Sequence, residues 1–166
     1  MKTAIVAGAV LLTATGALAD HATVIDGDTI RIHGETYDLY GIDAPEQGRT
    51  CKTPKGGTWP CGEAATLTLQ SIVAGLEVAC EELDIEADAR APEKVAKCKA
   101  AGQDISQDMV RSGFAWADLR YSDAYVKDEW IARLRRKGIW RVPTLPPWDD
   151  GSYRREHQAS SGPDDP

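Results

Sequence analysis

Closely spaced metal-binding cysteines are missing from this chain, and so is any surplus of positive charge. Its 166 residues contain no CxxC pair and only three histidines, His21, His33 and His157. Its four cysteines are widely separated, which argues against a zinc site. Asp and Glu outnumber Lys and Arg by 26 to 19, giving a formal net charge of −7. That balance favours solubility and argues against general affinity for nucleic acid, leaving room only for a local basic patch. No long apolar run follows residue 19, so nothing beyond it predicts a membrane span. Internal repeats and composition-biased linkers are also lacking, which predicts one domain with its own core.

The N-terminus carries the one long apolar stretch. Lys2 precedes it, and Ala17-Leu18-Ala19 fits a small-x-small cleavage site, so residues 1–19 are expected to be a signal peptide. The expected domain covers residues 20–145. A Pro-, Asp- and Ser-rich tail, 146–166, is expected to be poorly ordered. Cys51, Cys61, Cys80 and Cys98 form an even set behind that leader, which reads as two disulfides made in a periplasmic or secreted setting. Three pairings are possible. The favoured one joins Cys51 to Cys61 across a short Gly/Pro loop and Cys80 to Cys98 between neighbouring strands. A monomer free of the membrane after cleavage is expected.

Residues 22–43 are rich in β-branched and aromatic side chains and punctuated by Asp26-Gly27 and His33-Gly34-Glu35, the pattern of short strands and turns. A helix is predicted from about Gly62 to Val73, closing near Gly75, with Ala65, Leu67, Leu69, Ile72 and Val73 at roughly helical spacing. LEVACEEL and KVAKCKA read as two more strands. A second helix is predicted from Asp104 or Ser106 to Gly113, with Ile105, Met109 and Val110 inward. A third ends at Gly138, with Trp130, Ile131 and Leu134 inward. Strands first, one helix among them and two helices after them make an α+β domain. A five-stranded barrel with three packed helices fits that order, and the oligonucleotide/oligosaccharide-binding (OB) barrel is one such fold among several.

VIDGDTI, YGIDAPE, GEAATLTL, MVRSGFAWA and EWIARLRRKGIW together carry a resemblance. In this order, over about Ala22 to Trp140, the chain resembles a secreted bacterial member of the staphylococcal-nuclease-like, or thermonuclease, family. That resemblance implies an OB-fold barrel and calcium-dependent hydrolysis of DNA and RNA phosphodiesters. Position by position, it implies that Asp28 and Asp43 hold calcium, with the backbone carbonyl of Ala44 completing the protein ligands. It implies that Glu46 positions or deprotonates the attacking water.

Two positions depart from the family pattern. The segment expected to read Arg-Leu-Tyr-Gly-Ile-Asp reads Asp38-Leu39-Tyr40-Gly41-Ile42-Asp43. The second family arginine falls on Glu93, counted back from Cys98. Guanidinium groups meet phosphate oxygens through paired hydrogen bonds and offset the charge of the transition state. Losing one such donor typically lowers the rate on the order of a hundred- to a thousand-fold. A carboxylate in its place adds repulsion of roughly 4 kcal/mol at 4 Å and an effective dielectric of 20. The expectation is therefore a thermonuclease-like domain with impaired or absent hydrolysis.

Arg90 and Arg49 are the candidate substitute cations. Arg31 is set aside, because its spacing from Asp28 turns it to the other face of a strand. Arg133, Arg135, Arg136, Lys137 and Arg141 read as a helix-end cluster facing solvent, Trp130, Trp140 and Trp148 as packing residues, and Tyr40 and Tyr125 as base-stacking candidates. The alternative to an enzyme is a non-catalytic periplasmic module that binds polysaccharide or protein. Some secreted relatives are associated with exopolysaccharide production.

Overall fold

The computed structural model of the chain describes residues 21–85 and 94–146. The expected leader, the tail with Trp148, and the loop holding Glu86, Asp88, Arg90 and Glu93 lie outside the described residues.

Five strands lie side by side in one mixed sheet, in the order β1 (Thr23–Val24), β2 (Thr29–Ile32), β3 (Glu35–Leu39), β8 (Lys94–Ala100) and β7 (Val78–Glu82). Only β3 and β8 run parallel; the short β9 (Gln103–Asp104) pairs antiparallel with β8. Period-2 alternation builds the inner face. In β2, Ile30 and Ile32 are buried while Arg31 is exposed; in β8, Ala96, Cys98 and Ala100 point inward and Lys97 and Lys99 outward. Two small ribbons complete the strands. One pairs β4 (Ile42–Asp43) with β10 (Trp116–Ala117), the other β5 (Cys51–Lys52) with β6 (Thr58–Trp59). With three helices, the domain is the expected α+β arrangement of OB type.

α1 (Cys61–Val73) buries one residue per turn, Ala65, Leu69 and Val73 in the main core with the sheet and Cys61 in a second core. Leu67, expected in that face, is exposed. α2 (Ile105–Ser112) begins where Asp104 accepts a hydrogen bond from Gln107 N at 3.0 Å. It ends at Gly113, whose φ of 82° suits the left-handed cap. Each fully buried Ile or Leu of this core contributes roughly 1.5–3 kcal/mol relative to exposure.

α3 (Val126–Leu134) departs from the sequence expectation in two ways. Its Trp130 and Leu134 are 62% and 68% exposed rather than inward. The helix docks instead through Ala132 and the buried carboxylate of Asp128, which accepts from Arg111 Nε (2.7 Å) and Gln107 Nε2 (2.9 Å). A small residue and a paired charge let the helix approach closely where Trp and Leu would not. It also stops four residues before Gly138. Arg136 adopts φ 52°, and Arg136 N and Lys137 N donate to Arg133 O and Ala132 O, the double bond pattern of a Schellman cap. A single 3₁₀ turn, Gly138–Arg141, follows.

Both disulfides form as favoured: Cys51–Cys61, with Cα atoms 5.6 Å apart, and Cys80–Cys98, directly opposed in the β7–β8 register. The first lies in a second core with Trp116, Ala132, Ile139 and Trp140. Beside it, the Glu46–Arg49 turn is pressed onto the start of α1. Arg49 N donates to Glu46 O, Gly62 N donates to Arg49 O, and a Cβ on Gly62 would run into the Glu46 carbonyl. Gly62→Ala is therefore expected to lower stability by about 3 kcal/mol or more, read as a fall in Tm. Gln70→Ala, on the exposed side of α1, should shift stability by no more than about 0.5 kcal/mol.

Candidate functional site

Asp28 stands in a turn between β1 and β2 that its own sequence dictates. The Asp26 carboxylate accepts from Asp28 N (3.2 Å) and Thr29 N (2.9 Å), an Asx-type turn. Gly27 has no room for a side chain, since a Cβ would come within 2.6 Å of Ala44 Cβ and 2.8 Å of Ala65 Cβ. That close approach lets Asp28 Oδ2 accept the Ala44 N–H at 2.6 Å. The DGD and IDAPE segments are joined by this bond.

Asp43 is the last residue of β4, opposite Trp116 of β10. The chain then turns through buried Ala44 and Pro45 to exposed Glu46 and half-buried Arg49, whose guanidinium carbon lies 6.0 Å from the Trp116 ring centre. Beyond β10, Asp118 N donates to Gly41 O at 2.9 Å, holding the Asp118 carboxylate inside the fold at 2% exposure. Arg120 reaches back to that carboxylate with Nε at 2.9 and 3.1 Å and Nη2 at 2.6 Å. The same Nη2 stands 3.9 Å from Asp43 Oδ2.

The cluster of Asp28, Asp43 and Asp118 is thus acidic, with Arg120 and Arg49 acting on it as cations. Burial, then the charges of Asp43 and Asp26, holds the Asp28 carboxyl well above the usual carboxylate range, and the Ala44 N–H offsets part of this. Burial and then the Asp118 charge push Asp43 up to about 7; Glu46 adds to the rise, while Arg120 and Arg49 oppose it. Two half-buried carboxylates that repel one another are the donors a hard cation would relieve. Among the described residues, however, no three His, Cys, Asp or Glu side chains converge as a ready-made cage. The donor set fits a hydrated divalent cation held by few protein oxygens.

Asp38 belongs to the same wall. It faces Thr29 across β2 and β3, and the Thr29 hydroxyl donates to Asp38 Oδ1 at 3.1 Å while lying 3.4 Å from Asp28 Oδ1. Glu93 and Arg90 lie outside the described residues. Arg31 is exposed and donates to Thr36 Oγ1, away from the pocket. Tyr125, read from the sequence as a stacking candidate, is a core residue. It is buried, packs beside Gly41, and its hydroxyl donates to Asp104 Oδ2 at 3.0 Å, so no base can reach its face. Tyr40 stays half-buried, with Lys97 Nζ 4.9 Å from its ring centre. In the helix-end cluster, Arg133 pairs with Glu129 and stacks on Trp140, and Arg141 lies over Trp59.

Sequence reasoning missed Asp118 and Arg120. Their only signal is two opposite charges placed directly after the apolar Ala115-Trp116-Ala117 run. Nothing local says that the β4–β10 pairing brings them to Asp43.

The Asp43 shift has a measurable consequence. Its folded value, about 7, lies above the ordinary 3.8. The folded state therefore keeps a proton that the unfolded chain releases, and stability is lost as pH rises through that window. Asp28 acts in the same sense. Metal-free protein is expected to lose on the order of a few kcal/mol between about pH 5 and 7.5 from these groups. Thermal unfolding in chelator across that range checks this, and Asp43→Asn should flatten the fall.

Comparison with known proteins identifies the family. The staphylococcal nuclease homologue family model matches residues 36–142, a segment that begins after Asp28. The succinoglycan biosynthesis protein ExoI of Rhizobium meliloti (strain 1021) is 32% identical over 124 residues, covering 73% of this chain. The chain spans only 63% of that relative's length. An uncharacterized endonuclease of Escherichia coli O157:H7 is 31% identical over 134 residues, covering 75% of this chain and 78% of its own. A family match over most of the described domain, with relatives at this identity, places the chain in the staphylococcal nuclease homologue family.

Proposed function

We propose that this chain is a secreted phosphodiesterase that cuts DNA or RNA with calcium, at a rate held low by the carboxylate at position 38. The observation that carries the reading is the Asp28–Ala44 bond, which sets Asp28 and Asp43 in one pocket with Glu46 at its rim. Asp28, Asp43 and the Ala44 carbonyl are the groups that would hold the cation. Bound there, calcium would draw a phosphate oxygen into the pocket and offset its charge. Glu46, on the exposed turn after Ala44, would accept a proton from water arriving through solvent. Thr29 and the β2–β3 pairing hold Asp38 against the same pocket, so its charge opposes the phosphate. The two disulfides suit an oxidising compartment, and no helix among the described residues is long and apolar enough to cross a membrane.

A second reading follows from the relative named for succinoglycan biosynthesis. In it the domain serves exopolysaccharide production as a binding module, without hydrolysis. Titration with acidic and neutral polysaccharides separates the two, since a nuclease has no reason to bind neutral glycans.

Calcium-dependent hydrolysis of single-stranded DNA tests the first reading. Glu46→Gln should lower kcat/KM at least a hundred-fold. Asp38→Arg should raise it at least ten-fold, and Asp38→Arg with Glu93→Arg further still. Undiminished cleavage by Glu46→Gln, or none by wild type and both arginine variants, contradicts the proposal.

A further inference from the structure

We propose that Arg120, oriented by the buried carboxylate of Asp118, is the residue that contacts the substrate phosphate in this pocket, in place of the cation missing from position 38. The inference rests on the phosphodiesterase reading above and deepens it.

A carboxylate as deeply buried as Asp118 costs several kcal/mol to desolvate, so its presence needs a partner with good geometry. Arg120 supplies one. Three short contacts from Nε and Nη2, and a further bond from Arg120 N to Asp118 Oδ1 at 3.0 Å, lock the guanidinium plane. The far side of that plane is not buried with the acid, because the Arg120 side chain remains 41% exposed. The bonds to Asp118 run through Nε and Nη2, and the guanidinium carbon lies 5.7 Å from the Tyr121 ring centre. Asp43 lies beyond hydrogen-bond range of Nη2, at 3.9 Å, so the two meet as charges and not as a closed pair.

The position also fits the reaction. A phosphodiester oxygen drawn toward Asp28 and Asp43 by a cation arrives within reach of a guanidinium held beside Asp43. Asp118 and Arg120 together add no net charge to the pocket, so the arginine is brought in without disturbing the acidic cation site. Asp38 stands on the Asp28 side, near Thr29, and Arg120 on the Asp43 side, near β10. The phosphate is therefore repelled from one wall and received by the other. Arg49 also acts on Asp43 electrostatically, with its guanidinium carbon 6.0 Å from the Trp116 ring centre.

The test is binding of a phosphorothioate-linked thymidine octamer, which resists hydrolysis, followed by fluorescence anisotropy with calcium over a range of salt. Arg120→Ala leaves Asp118 buried without its partner and is liable to misfold. The paired variant Asp118→Asn, Arg120→Gln keeps hydrogen-bonding groups at both positions and removes both charges. Wild type should bind, and the paired variant should bind about ten-fold more weakly, with its salt slope reduced by about one phosphate contact. Arg120→Lys, which keeps the charge and loses the fork, should fall between them. An unchanged affinity and salt slope in the paired variant, or no binding by wild type, overturns the proposal. Arg120-dependent binding by a wild type that hydrolyses no DNA upholds it and overturns the hydrolytic reading instead.

Discussion

Everything at the pocket depends on one hydrogen bond, from the Ala44 N–H to Asp28 Oδ2 at 2.6 Å. It ties a turn at the sheet's edge to the end of β4, and it exists because Gly27 lets the two backbones and α1 meet without a side chain between them. It also joins two carboxylates that repel each other in a poorly solvated place. The fold holds Asp28 and Asp43 close enough for each to raise the other's cost of ionising, an arrangement that supports the proposed cation site.

The rest of the architecture buttresses that arrangement from three sides. The Cys51–Cys61 disulfide and the bare backbone of Gly62 press the Glu46–Arg49 turn onto α1. The β4–β10 ribbon carries Asp118 and Arg120 to Asp43. The β2–β3 ladder sets Asp38 beside Thr29 and Asp28. Acid is thus added on one wall and cation on the other. This distribution is the basis of the proposal that the chain attracts a cation in the family's way and receives a phosphate in a different one.

Much of this was legible in the chain. Period-2 alternation in β2 and β8, the caps at Asp104 and Gly113, and the cysteine spacing each report a local constraint, and each formed as read. α3 was not legible in the same way. Its contacts rest on Asp128 and Ala132, and hydrophobicity favoured Trp130 and Leu134, which face outward. Its end was hidden too, because Arg136 takes the left-handed position where a glycine is the usual sign. Tyr125 looked like a surface aromatic until Gly41 and Asp104 closed around it. Arg120 was invisible for a deeper reason: only the long-range β4–β10 pairing gives it a place at the pocket.

The central claim is that Asp28 and Asp43 form a cation site, and calorimetric titration with calcium near neutral pH addresses it most directly. The account predicts one site in the wild-type protein, lost in both Asp28→Asn and Asp43→Asn and retained in Glu63→Gln on the exposed face of α1. Calcium binding of equal strength in all four proteins, or none in the wild type, would contradict it.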